Sequence, residues 1–267
     1  MKVALYVRHL DPSLRQQLLA LIDRLHAGGV ETDEISETLP RGIHYDFLFS
    51  IGGDGTLLSS VHLIAGRDIP VLGINFGHLG FLTTAGRDDI DTLVADILEG
   101  RYTLEPRTLL QISAAPIASP LTALNEVCLH RLDDAPLLRT DLYVDNDFVA
   151  TYAADGLIVA TPTGSTAYSL SCGGPILTPN SGCFVITPIA AHNLTLRPII
   201  VPDKACLRLA THPQQNQLFN LSADSHRLHL ASGTEVHLSR APFTVRLVRL
   251  HRQTFFTAIH QKLGWNF

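Results

Sequence analysis

The hydrophobic pattern changes period near Arg101, and that change divides what the chain can fold into. Before it, compact apolar runs alternate with stripes at helical spacing. Residues 3–7, 47–51 and 70–74 read as strands covered on both faces. Leu14, Leu18, Leu21, Ile22 and Leu25 mark a helix opened by Pro12 and Ser13 and closed by Gly28-Gly29. Residues 57–64 mark a second helix, ended by Gly66. Ile90, Leu93, Val94, Ile97 and Leu98 mark a third, with Gly100 just past its end. Strands alternating with amphipathic helices predict a parallel sheet with helices on both faces.

After Arg101, short segments of period two dominate: residues 109–112, 121–129, 142–144, 157–160, 184–187, 207–209, 228–230 and 245–248. Pro, Gly, Asn and Asp punctuate them at sandwich-like intervals. Only residues 165–171 read as helical in this half, and 254–263 as a final helix returning to the first domain. The expected fold is an α/β domain with a parallel sheet, residues 1–101 completed by 251–267, plus an all-β sandwich over 102–250.

Bulk properties narrow the function classes. Apolar residues make up 46% of the chain and charged residues 17%, which suits a buried core and excludes a disordered chain. The formal net charge of −5 argues against a nucleic-acid partner, since tracking phosphates needs an excess of Lys and Arg. No stretch approaches the roughly 20 apolar residues that span a bilayer, and the N-terminus lacks the features of a signal peptide. Cys128, Cys172, Cys183 and Cys206 show no paired short spacing, so free thiols in a reducing cytoplasm are expected.

The run ending at Ile51 enters Gly52-Gly53-Asp54-Gly55-Thr56, and a helix follows at once. Strand, glycine turn and helix N-terminus together suit an anion, because backbone N–H groups can approach phosphate oxygens. The loop is neither a Walker A motif nor a Gly-x-Gly-x-x-Gly fingerprint. Asp54 is the informative residue. A carboxylate beside phosphates is unfavourable unless it holds Mg²⁺ or accepts a proton from an attacking hydroxyl, and both fit phosphoryl transfer. The plainer reading is a helix cap in a tight turn. This loop resembles one shared by NAD kinases, diacylglycerol-type lipid kinases and sphingosine kinases, so by itself it leaves the acceptor open.

Residues 155–171 are more specific. Asp155 precedes an apolar strand, and Thr163, Ser165 and Thr166 then crowd hydroxyls into a turn before Ala167, Tyr168 and Ser171. Hydroxyls and backbone N–H groups there suit a phosphate or ribose, and Tyr168 offers an aromatic edge; a Ser/Thr-capped helix is the plainer alternative. The stretch resembles the signature of the NAD kinase family nearly letter for letter, and lipid kinases lack it. Asn125-Glu126 is similar to the family's nucleotide-contacting pair. Residues 73–82, with Asn75 and Phe76, resemble its second glycine turn beside the dinucleotide. Residues 186–194 and Arg197-Pro198 resemble a later block, and Asp224 matches an Asp near the nicotinamide ribose. Where many relatives continue that Asp with Gly-Gln, this chain has Ser225-His226.

The resemblance implies an NAD kinase with its active site in the crevice between the two domains. It implies ATP as phosphoryl donor, Mg²⁺ or another divalent cation, NAD as acceptor, a cytoplasmic setting and a homodimer or homotetramer. Asp54 would be catalytic. Gly52, Gly53, Gly55 and Thr56 would cradle phosphates, while Asn125, Glu126, Asp155, Thr163, Thr166, Ala167, Tyr168 and Asp224 would hold NAD. The competing expectations are a lipid or sugar kinase using the same loop, or a non-catalytic dinucleotide sensor.

The remaining polar features have plain readings. The 13 histidines show no ligand spacing: His226 and His229, three apart on a strand, face opposite ways. His78 stays open because it lies in the second glycine turn. Asp88, Asp89 and Asp91 read as helix capping, and Arg246, Arg249 and Arg252 as a solvated basic face.

Overall fold

The computed structural model describes all residues except 9–11, 65, 78–79, 84–89, 133–134, 215–216, 251–253 and 266–267. The chain forms two compact units, Met1–Pro106 with Val245–Phe267, and Arg107–Thr244.

In the first unit, β1 (Lys2–Val7), α1 (Pro12–Ala27), β2 (Glu31–Ile35), β3 (Phe47–Ile51), α2 (Asp54–Ile64), β4 (Val71–Ile74), α3 (Ile90–Leu98) and the start of β5 (Tyr102–Ala114) follow in order. The sheet runs β2-β1-β3-β4, all parallel. Beyond β4, Leu247 pairs in parallel with Val71. β3 and β4 are buried along their whole length, as continuous apolar runs in a parallel sheet require. The helices cover them through Leu18, Leu21 and Leu25 of α1 and Leu93, Val94 and Ile97 of α3, in one cluster with Phe49 and Ile74. β2 carries no apolar run. It is an edge strand of exposed or half-buried polar side chains, so its register comes from β1 and not from its own pattern.

The second unit contains the rest of β5, then β6 (Leu121–Ala123), β7 (Glu126–Arg131), β8 (Leu138–Val144), β9 (Asp147–Ala154), β10 (Gly156–Ala160), the single turn α4 (Tyr168–Ser171), β11 (Cys183–Ile189), β12 (Ile199–Pro202), β13 (Leu207–Thr211), β14 (Leu218–Ala223), β15 (His226–Ala231) and most of β16 (Glu235–Leu250). One antiparallel sheet has the order β12-β11-β10-β7-β14-β15; in the other, β9, β8, β13 and β16 are neighbours. Val127, Leu129, Leu157, Val159, Phe219 and Leu221 of the first meet Leu138, Leu142, Leu207, Leu209, Val236 and Leu238 of the second in one core. Two sheets closed over a shared core are the sandwich that the period-two segments predict.

Residues 121–129 do not form one strand. The chain breaks at Leu124-Asn125, because the Asp224 carboxylate captures the N–H groups of Leu124, Asn125 and Glu126. The C-terminal helix α5 (Phe255–Leu263) is capped by Thr254, whose hydroxyl accepts from the Thr257 N–H, and ends at left-handed Gly264.

Candidate active site

In the first unit the glycine loop lies at the C-terminal end of β3. The Gly52 N–H donates to the Ile74 carbonyl at 2.8 Å, and the Gly53 carbonyl accepts from Thr56 and Leu57. Asp54 opens α2, and its carboxylate crosses to the neighbouring turn. Oδ2 accepts from the Phe81 N–H at 2.8 Å, and Oδ1 from the Leu82 and Thr83 N–H groups, each at 3.2 Å. Gly80 makes this approach possible: a Cβ there would overlap the Asp54 carboxylate. Asp54 is therefore more than a cap for its own helix. An ionised carboxylate offers about four acceptor positions, so among the described residues the three N–H donors leave one open on Oδ2.

Asn75 steers the second turn by accepting the Gly77 N–H at 2.9 Å. Phe76, expected beside the dinucleotide, is instead buried in the core of this unit at 5% exposure. Its ring anchors the turn and is not presented to a ligand. His78 lies outside the described residues.

The second unit assembles the other predicted residues. Thr161 follows β10 and ties the two segments together: its N–H donates to the Asn125 carbonyl and its hydroxyl to the Leu124 carbonyl. Gly164 packs on Asn125 so closely that a Cβ would overlap the Asn125 carbonyl. The hydroxyls of the turn are committed inward. Ser165 is fully buried, donating to Pro162 and accepting from Leu177; Thr166 donates to Thr163, and Thr163 accepts from the buried Arg107. Ser165 thus holds the turn in shape and is not placed to bind a ligand, contrary to the sequence reading. Ala167 links the 3-10 turn at 164–166 to α4, leaving Tyr168 and Ser171 exposed. Asp155 pairs with Arg131 at 2.6 Å.

Asn125 and Glu126 stand where β7 begins. Asn125 Oδ1 and Glu126 Oε2 are both buried without a hydrogen-bond partner among the described residues, so each could accept from a ligand or a water. Burial, and then the neighbouring Asp224, push the Glu126 carboxyl up to about 8. Asp224, at φ 49°, is also raised by burial, although the three backbone donors oppose this. Through those donors the Asp224 carboxylate grips the backbone of Leu124, Asn125 and Glu126. An Asp224→Asn change would put an amide NH₂ against at least one of those N–H groups. It should cost about 1–3 kcal/mol in stability, which thermal unfolding will measure.

A cavity of about 300 Å³ adjoins Tyr168, lined by Cys128, His130, Asn220, Ser222 and Arg227. Sequence reasoning missed these residues. Strand register brings them together, Cys128 opposite Ser222 and Ser222 opposite Arg227, with His130 opposite Asn220. The four cysteines are free, and burial pushes Cys128 up to about 12. Among the other charged features, Arg249 is largely buried against Glu105, and Arg246 pairs with Asp68. This corrects the solvated basic face; Arg252 lies outside the described residues. Asp91 opens α3 and pairs with Arg24, while Asp88 and Asp89 are likewise outside.

Residues 15–102 match the ATP-NAD kinase N-terminal domain, and residues 124–250 the ATP-NAD kinase C-terminal domain. An NAD kinase of Porphyromonas gingivalis is 41% identical over 231 residues, 86% of this chain and 79% of the relative. One of Christiangramia forsetii is 40% identical over 226 residues, 83% and 76% of the two chains. Among solved structures, yeast NADH kinase complexed with NADH is similar with a TM-score of 0.87 and 25% identity, covering 100% of this chain and 88% of that one. An Archaeoglobus fulgidus NAD kinase in complex with ATP shares the fold, with a TM-score of 0.81, 24% identity and 99% of each chain covered. The glycine loop with its fixed carboxylate, the 155–171 turn and these matches lead to one conclusion: the chain belongs to the NAD kinase family.

Proposed function

We propose that this kinase forms NADP by moving the γ-phosphoryl group of ATP to the 2′-hydroxyl of the adenosine ribose of NAD, with Asp54 accepting the hydroxyl proton. The observation that carries this reading is the Asp54 carboxylate, fixed by three N–H donors at the glycine loop with an acceptor position left on Oδ2. A general base needs both an available lone pair and a held position. Gly52, Gly53, Gly55 and Thr56 supply the phosphate cradle at the start of α2.

Asn125 and Glu126 hold NAD in register, their buried acceptors meeting the amino and hydroxyl groups it brings. Asp155, Thr163, Thr166, Ala167 and Tyr168 shape the rest of the pocket. Among the described residues no group of three His, Cys, Asp or Glu could cage a metal. Mg²⁺ usually rests on one or two carboxylates and on substrate phosphates, so the phosphates of bound ATP would carry most of its contacts here. When bound it would neutralise charge on the phosphates.

The test incubates purified protein with NAD and Mg-ATP and detects NADP with an NADP-specific dehydrogenase. NADP that disappears when ATP or Mg²⁺ is omitted is the expected result. No NADP under any condition refutes the proposal, and NAD binding without ATP consumption would make the chain a sensor.

No helix among the described residues is long and apolar enough to cross a membrane, and four free thiols suit the reducing cytoplasm we assign. The proposed assembly is a homodimer or homotetramer, which sedimentation will test.

A further inference from the structure

The turn that grips Asp54 is itself held from behind. The Arg249 guanidinium makes two contacts through different nitrogens: Nε to Glu105 Oε2 at 2.9 Å, and Nη2 to the Phe81 carbonyl at 3.3 Å. The ion pair is shielded, with side-chain exposures of 15% for Arg249 and 22% for Glu105. The Phe81 carbonyl belongs to the peptide whose N–H is that of Leu82, and this N–H donates to Asp54 Oδ1. In a planar trans peptide the C=O and N–H point in opposite directions. Arg249 and Asp54 therefore occupy the two ends of one rigid group, a cation on its carbonyl and a carboxylate on its N–H.

We propose that Arg249 is a positioning residue for Asp54, acting through the peptide that joins Phe81 to Leu82. Two physical effects support the role. A cation on the carbonyl polarises the peptide and strengthens its N–H as a donor. The guanidinium fork, anchored at Glu105, also fixes the plane of that peptide and with it the direction from which Oδ1 is held. The Gly80 N–H closes the same turn by donating to the Thr83 hydroxyl at 2.8 Å. This inference rests on the proposed catalytic role of Asp54.

Lysine keeps the charge of Arg249 but has one nitrogen, so it cannot reach Glu105 and the Phe81 carbonyl in the same fixed geometry. The Arg249→Lys protein should lose about tenfold in kcat, since small misplacements of a reacting group cost rate steeply. KM for NAD and ATP should stay within about twofold, because no substrate contact is removed. Arg246→Lys, on the same strand but paired with Asp68, serves as the control and should leave kcat unchanged. The deciding measurement is a double-mutant cycle. Arg249→Lys placed on Asp54→Asn should lower kcat no further, because the group it positions is gone. A full additive loss on that background, or wild-type kcat in Arg249→Lys alone, overturns the inference while leaving Asp54 in place. Near-normal kinetics of Asp54→Asn would overturn the reading of Asp54 and this inference with it.

Discussion

An Asp54→Asn protein is expected to lose about 10²–10⁴-fold in turnover, the usual worth of general acid–base assistance, while still binding NAD. The binding residues proposed for NAD, Asn125, Glu126, Asp155 and Tyr168, all belong to the second compact unit, whereas Asp54 lies in the first. The substitution also has a structural cost. Asparagine offers one carbonyl oxygen and a donor amide, so at least one of the Phe81, Leu82 and Thr83 N–H groups faces another donor. A lost partner of this kind costs about 1–3 kcal/mol. Calorimetric titration with NAD separates the two effects. Retained NAD affinity with turnover lost assigns Asp54 to the chemical step, and near-wild-type kcat removes it.

The second large effect concerns pH. Glu126 rises from an ordinary 4.5 to about 8 in the folded chain, first through burial and then through the charge of Asp224. A carboxyl whose pKa is raised on folding binds more protons folded than unfolded, so the stability it confers falls as pH rises. That contribution is complete below about 4.5 and lost by about 8. Each pH step of one within that window is worth about 1.4 kcal/mol, so the change across it amounts to a few kcal/mol. Glu126→Gln removes the proton equilibrium while keeping the shape. Its stability should exceed that of the unaltered protein at pH 8 by a few kcal/mol, with the difference shrinking towards pH 5. Denaturant unfolding at the two pH values checks this, and a pH-independent difference would place the raised carboxyl elsewhere. The same substitution should weaken NAD binding, as a strained binding group often trades stability for function.

Much of this was legible in the sequence. Buried apolar runs at 47–51 and 70–74 read as central parallel strands, and the glycine loop after the first of them suits an anion. The period-two segments after Arg101 give the sandwich. Residues 155–171 with Asn125-Glu126 resemble the NAD kinase family, and that resemblance set the reading apart from a lipid kinase. The polar edge strand β2 escaped notice because nothing in Glu31–Ile35 alternates; only pairing with β1 makes it a strand. The burial of Ser165 and Phe76 was hidden for a related reason. A hydroxyl or an aromatic ring in a motif does not reveal whether it points toward a ligand or into the core.

The sequence by itself pointed to the chemistry through its resemblance to the NAD kinase family, carried by the glycine loop and residues 155–171, whose local spacing needs no distant partner to be recognised. Only the tertiary structure decided how two of the chain's carboxylates are used. Asp54 reaches 27 residues along the chain to the Phe81 N–H, and Asp224 reaches back 100 residues to the Leu124 N–H. Each grips three successive backbone N–H groups, and such groups exist at every position in a sequence except proline. Which of them converge on a carboxylate depends on the path of the folded chain. The same holds for Arg249: its composition reads as a surface charge, and its contacts place it one peptide away from Asp54.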